Sequence, residues 1–170
     1  MSRLLAVVVG AVVVLVGVFV LAQLFVARDD AGVSSRAARG PGTLEPDRGA
    51  DHGMRAAPGG PLPTSGAHSP DLVPRDGGTL TRDQLLHALE LGNVVLLYPG
   101  DSPPPPALRA LQEEVAGPFD AELAAAGQAV ILAEGGSKIE ALAWRRRLAA
   151  TGLDDPALRE FADAWLGQGR

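Results

Sequence analysis

The sequence predicts an α/β (or α+β) domain, a small mixed sheet with packed helices, preceded by one transmembrane helix and a disordered linker. An apolar run occupies the N-terminus, a stretch rich in Gly and Pro follows it, and short apolar runs then alternate with helical patterns. We therefore divide the 170 residues into a transmembrane helix (1–28), a disordered linker (29–50), an extended arm (51–78) and a small α/β domain (79–170).

The N-terminal segment has no polar side chain from Leu4 to Ala22, and after Gln23 the apolar run continues to Ala27. A spanning helix needs about 20 mostly apolar residues. The alternative is a cleaved signal peptide with its peptidase site at residues 20–22, but the apolar core of a signal peptide is usually only about 7–15 residues long. Arginines on both sides of the segment do not favour an exported domain by the charge rule.

The linker and the arm differ in their sequence character. Residues 29–50 include Gly40-Pro41-Gly42 and almost no apolar periodicity, so we expect them to be disordered. The arm carries the run Pro-Leu-Pro-Thr-Ser-Gly-Ala-His from Pro61 to His68. We expect the part from His52 to Pro70 to lie ordered on the domain.

The first helix of the domain has a clear start and end. Thr81 and Gln84 have the spacing of a capping box, and Gly92 is the natural stop. Further elements follow in order: a buried strand at 93–98, a helix from Pro105 or Pro106 to Gly117, a helical turn at 119–126, a strand at 128–133, a strand at 139–144 expected to form a hairpin with the previous one, and a last helix capped by Asp154 or Asp155. An alternative for residues 144–150 is the start of a helix.

Composition excludes several classes of function. The net charge is −5, so a basic nucleic-acid footprint is absent, and we expect the run Arg145 to Arg147 to be a solvent-exposed segment. The chain has no cysteine, which excludes disulfides and thiolate metal sites. Ser65 lacks the Gly-x-Ser-x-Gly surroundings of a hydrolase nucleophile, so a turn with Gly66 is its expected role. Trp144 is expected in the core.

The three histidines of the chain are His52, His68 and His87. Glu90 follows His87 by three residues on the predicted helix, so the two share a face. Neutral imidazoles are common ligands of divalent transition metals such as Zn, Cu and Ni, and these four residues are the candidate metal ligands. The alternative is that the histidines only bond to backbone or solvent. The sequence identifies no catalytic residues, and only Glu90 is placed to be considered as a general base.

Four local motifs together resemble the bacterial domain-of-unknown-function family 3105. They are Asp51-His52 with the run Pro61–His68 (which includes Thr64, Ser65 and Gly66), His87–Gly92, Val94–Tyr98, and Ala143-Trp144 followed by Asp154-Asp155 and Phe161. Two residues depart from the family pattern, because Leu91 stands in place of a histidine and Arg145 in place of a common glycine. The resemblance implies an N-terminal membrane segment and a domain outside the cytoplasm, with no established activity.

These observations predict a single-pass protein of the cell membrane whose extracytoplasmic domain binds a ligand or a protein partner without catalysis. The alternative is a metal-binding protein or metal-dependent enzyme that uses the histidine cluster, with a divalent transition metal as cofactor. A third is a divergent scaffold that has lost an ancestral activity. The expected partners are the lipid bilayer and a protein, and not nucleic acid.

Overall fold

A computed structural model of the chain describes residues 40–100 and 103–170. The predicted transmembrane helix (1–28) and residues 29–39 of the predicted linker lie outside these residues. Within the described part of the chain, none of the helices combines the length and the apolar character that crossing a membrane requires.

A mixed sheet lies at the centre of the domain, as the sequence predicts. Its strands in the described residues, given in chain order, are β1 (Thr43–Leu44), β2 (Gly78–Thr79), β3 (Val94–Tyr98), β4 (Val130–Glu134), β5 (Glu140–Ala143) and β6 (Arg146–Ala149). They are arranged across the sheet as β1-β6-β5-β3-β4-β2. The neighbours β2, β4 and β3 are parallel, whereas β3, β5, β6 and β1 are antiparallel to one another in turn.

The helices begin and end where local signals place them. They are α1 (Arg82–Leu91), α2 (Pro106–Ala116), α3 (Ala121–Ala125) and α4 (Pro156–Trp165). The capping box is confirmed, since Thr81 accepts from the backbone N–H of Gln84 and the Gln84 side chain accepts from the N–H of Thr81. Gly92 ends α1 with φ 114°, a conformation that favours glycine. Asp155 caps α4 by accepting from the N–H of Ala157.

Alternation along the strands separates the core into two layers. On one face Val95, Leu97 and Ile131 pack with α1 and α3, and the partly buried arm residues Ala56 and Leu62 join them. On the other face α2 and α4 pack against the remaining side chains of β3 and β4. The arm therefore lies on the same face of the sheet as α1.

The expected hairpin between residues 128–133 and 139–144 is wrong. Strand β4 is parallel to β3 on one side and to β2 on the other, so β5 pairs instead with β3 and β6. Residues 146–149 are thus a strand and not a helix. The β5–β6 turn holds Arg145 at φ 58°, a left-handed conformation that costs a non-glycine residue about 1 kcal/mol or more. This explains why a glycine suits the position.

The expected disorder up to residue 50 is also corrected, because residues 41–50 lie against the domain. Strand β1 extends the sheet beside β6, and the Trp165 indole N–H donates to the carbonyl of Pro41 at 2.9 Å. Glu45 accepts a hydrogen bond from the Nε–H of Arg147 at 2.6 Å. The composition of the segment gave no indication of this partly buried ion pair.

The arginine run is not a solvent-exposed segment. Arg146 is only 3% exposed. Its guanidinium lies 4.6 Å from the centre of a Trp165 ring, a cation–π contact. Arg147 is bonded to Glu45 and also to Glu140, whose Oε2 accepts at 2.6 Å. Strand β6 therefore carries two arginines that are largely removed from solvent and contact other parts of the domain.

Candidate metal centre

The arm brings two histidines to one face of α1. His52 and His68 lie in the arm, and His87 and Glu90 lie on the helix. Asp83 precedes His87 by four residues and Glu90 by seven, so the three side chains follow one another along the same face. The site therefore combines a local helix pattern with a loop that crosses it.

Asp83 fixes the arm to the helix. Its Oδ1 accepts from the backbone N–H groups of Ala56 at 2.7 Å and Ser69 at 2.9 Å. These hydrogen bonds, from Ala56 and then from Ser69, lower the pKa of the Asp83 carboxyl. The neighbouring Arg82 donates to arm carbonyls, at 3.2 Å in the case of Pro61. The N-terminal turn of α1 thus holds the loop that carries His68.

The four predicted ligands converge. Each offers one donor atom, and these atoms all lie within 4.8 Å of one another. Glu90 Oε2 is 2.6 Å from His52 Nε2 and 3.2 Å from His68 Nε2. The ring centres of the three histidines are 4.8 to 5.9 Å apart.

The tautomer of His68 follows from its surroundings. Its ring is fully buried, and Nδ1 lies 2.9 Å from the carbonyl oxygen of Gly66. A carbonyl can only accept, so Nδ1 carries the hydrogen and in the neutral ring Nε2 presents a lone pair. That lone pair faces the Glu90 carboxylate without hydrogen-bond geometry, and Nε2 is buried with no hydrogen-bond partner. Two acceptors this close repel each other unless a cation, either a metal ion or a proton on Nε2, lies between them.

His87 is suited to the neutral form that binds metals. Burial lowers its pKa, and the nearby His68 and His52 act in the same direction against the opposing effect of Glu90. Its Nδ1 is buried and has no hydrogen-bond partner. His87 therefore carries a second buried nitrogen without a hydrogen-bond partner, on a ring whose centre lies 5.6 Å from that of His68.

The donor set fits a transition-metal ion. Three imidazoles and one carboxylate are the ligand types that Zn²⁺ binds, and the His68–Gly66 hydrogen bond is the outer contact that commonly orients a metal-bound histidine. A tetrahedral zinc site places its ligands about 3.3 Å apart. Donors up to 4.8 Å apart must therefore draw together. His52 can move most easily, since its side chain is 45% exposed and that of His68 is 0% exposed.

The other motif residues hold the arm and are not among the four candidate ligands. Thr64 and Ser65 are buried, and their hydroxyls donate to Glu45 Oε2 at 2.6 Å and to the carbonyl of Pro46 at 3.1 Å. Gly66, at φ 144°, supplies the carbonyl bonded to His68. Trp144 is a core residue of the face that α1 covers. Ser65 thus joins the arm to residues 46–48, a contact that the expected turn with Gly66 did not include.

Two residues near the site escaped the sequence analysis. Asp83 could have been found from its spacing of four residues before His87, had the helix been considered as a support for the arm. Arg170 could not, because its guanidinium reaches 3.8 Å from Glu90 Oε1 only through the course of the C-terminal segment. Leu91, at the position where the resemblance implies a histidine, lines a narrow crevice together with His87.

Comparison with known proteins identifies a family but no function. The family model described as "Protein of unknown function (DUF3105)" matches residues 59–170. The match includes His68, His87 and Glu90, whereas His52 precedes it. No curated protein and no solved structure is similar enough to this chain to be matched with it.

Proposed function

The chain belongs to the DUF3105 family, whose function is not established, and we propose that its domain binds a divalent transition metal through His52, His68, His87 and Glu90. One observation carries this proposal. The buried Nε2 of His68 faces the Glu90 carboxylate at 3.2 Å with its lone pair and without a hydrogen bond. A metal ion coordinated by both atoms would remove their repulsion and satisfy the nitrogen.

The arrangement favours binding over catalysis. A catalytic metal needs an open coordination position and a base separate from the ligands. Here the candidate base, Glu90, is itself one of the four proposed ligands, whose donor atoms all lie within 4.8 Å of one another. The metal would instead join the arm to α1, since two of its ligands come from each.

Metal content and stability of the full-length chain test the proposal. The chain is stripped with chelator, dialysed and titrated with Zn²⁺, Cu²⁺ or Ni²⁺ while bound metal and thermal unfolding are measured. We expect one ion per chain and a rise in the unfolding temperature, because at 100-fold excess over Kd a ligand adds about 2.7 kcal/mol. His68→Gln and Glu90→Gln should reduce affinity at least tenfold.

Glu113→Gln is the matched control, because Glu113 is exposed on α2 and away from the cluster. Its metal affinity should equal that of the unchanged chain. The proposal fails if no ion binds stoichiometrically and chelation leaves stability unchanged, or if His68→Gln binds as tightly as the control.

We further propose that residues 1–28 anchor this domain to the cell membrane, with the domain outside the cytoplasm. The long apolar run from Leu4 supports anchoring, and the family resemblance supports the location. Protease added to intact cells should then digest the domain while the anchored N-terminus stays with the membrane. If the domain is digested only after the cells are lysed, it lies on the cytoplasmic side and the proposed orientation is wrong.

A further inference from the structure

A cleft of about 850 Å³ lies beneath the arm, and none of the four candidate metal ligands lines it. Its walls come from the arm, from the segment at residues 45–48, from Arg82 and Leu86 of α1, and from Glu140 and Arg147 of the sheet. Pockets that hold small organic molecules usually measure about 300–1,000 Å³. The cleft is therefore large enough for such a molecule.

The cleft concentrates positive charge in an acidic chain. Its charged lining consists of Arg48, Arg55, Arg82 and Arg147 with Glu45 and Glu140, a formal net charge of four minus two, or +2, whereas the chain carries −5. An anion is the kind of ligand that this lining attracts.

Two of the arginines are available to a ligand. Arg147 is bonded to Glu45 and Glu140, and Arg82 is bonded to arm carbonyls. The side chains of Arg48 and Arg55 make no hydrogen bond or ion pair with any residue in the described ranges, and both residues are exposed. A guanidinium group that has no protein partner can bind a carboxylate or a phosphate through two parallel hydrogen bonds.

Apart from Thr64 and Ser65, the rest of the lining has no polar side chains. Met54 is 59% exposed beside Arg55, and Leu62 and Leu86 lie deeper in the wall. Methionine adapts its shape to different apolar partners. We propose that this cleft binds a small organic anion, with its carboxylate or phosphate on Arg48 and Arg55 and its apolar body on Met54 and Leu62.

Isothermal titration calorimetry of the metal-free full-length chain with three probes tests this proposal. The probes are 4-phenylbutyrate, its neutral analogue 4-phenylbutyramide, and inorganic phosphate. We expect 4-phenylbutyrate to bind, with the amide and phosphate at least tenfold weaker because each lacks one half of the recognised chemistry. Arg48→Gln and Arg55→Gln should each weaken 4-phenylbutyrate about tenfold, which is the loss of one charge-assisted contact.

Arg75→Gln is the matched control, since Arg75 is an exposed arginine that does not line the cleft. It should leave binding of 4-phenylbutyrate unchanged. Equal binding of the acid and its amide, equal loss in the control, or no binding of the acid at millimolar concentration would each overturn the proposal. Tighter binding of phosphate than of the acid would refute the apolar half. Since the chain is stripped of metal and then dialysed free of chelator before each titration, the outcome does not depend on the metal.

Discussion

Replacing Asp83 tests whether the hydrogen bonds beneath the arm create the candidate metal site. One carboxylate oxygen accepts from Ala56 at 2.7 Å and from Ser69 at 2.9 Å, and the residue also lies in the first turn of α1. Asp83→Asn keeps an oxygen in place but removes its charge. Asp83→Ala removes the acceptor and leaves two backbone N–H groups to find other partners.

The expected magnitude follows from these contacts. A hydrogen bond to a charged group contributes about 1.5–3 kcal/mol and a neutral one about 0.5–1.5, and a negative charge at a helix N-terminus adds about 0.3–1. Because Asp83 is only partly buried, we expect a loss in the free energy of unfolding of about 1–2 kcal/mol for Asn and about 2–4 kcal/mol for Ala. If the arm loosens before metal binds, a loss of 1–2 kcal/mol weakens metal affinity about 5–30-fold.

Urea unfolding and metal titration of the full-length chain measure both effects. Asp154→Asn is the control, because Asp154 is exposed and makes no hydrogen bond within the described residues, and it should change stability by less than about 0.5 kcal/mol. The pKa of Asp83 is lowered in the folded state, so its stabilisation is fully present above the unfolded value of about 3.9 and is lost as pH falls through the folded value.

The difference in stability between the unchanged chain and Asp83→Asn should therefore be constant above about pH 5 and shrink in acid. Unchanged metal affinity in a destabilised Asp83→Asn would show that the arm needs no such support. Unchanged stability of Asp83→Ala would show that the two hydrogen bonds contribute nothing net.

Three further substitutions have defined outcomes. Gly127→Ala should lower the free energy of unfolding in urea by about 2–4 kcal/mol, and Gly136→Ala by only about 1 kcal/mol. Both glycines have φ near 72°, but only at Gly127 would an added Cβ lie 2.0 Å from the Leu91 carbonyl oxygen. Equal losses in the two variants would contradict this packing. Leu91→His should tighten metal binding, since residue 91 follows His87 by one helical turn; weaker binding would mean that it lies away from the metal. His87→Asn should flatten the fall in metal-free stability below about pH 6.5, because a lowered pKa makes protonation favour the unfolded chain, and an unchanged curve would contradict that.

Sequence alone predicted the elements whose signals are local. The capping box of Thr81 and Gln84, the stop at Gly92 and the buried strand predicted at 93–98 each depend on a few neighbouring residues. All three are confirmed, and the strand spans Val94–Tyr98. Strand pairing was harder to predict. The place of β4 between β3 and β2 depends on partners 36 and 55 positions earlier in the chain, and so the pattern of β5 could not reveal which strand it pairs with.

Order in residues 41–50 could not be predicted for a related reason. Composition measures whether a segment can bury its own apolar surface, and this one cannot. Its order comes from backbone pairing of β1 with β6 and from Glu45 with Arg147, 102 residues apart in sequence. Polar contacts at such a separation leave no periodic trace in either segment.

In the candidate site, too, the local spacing was predictable from the sequence and the long-range contacts were not. The spacing of His87 and Glu90 was visible in the sequence because a helix repeats every 3.6 residues. The position of His68 depends on the Asp83 hydrogen bonds and on the Gly66 carbonyl, and the fully buried ring is held more firmly than that of His52. Of the four proposed ligands, His52 is thus held least firmly, and we expect that any ion bound by the other three would draw its side chain inward.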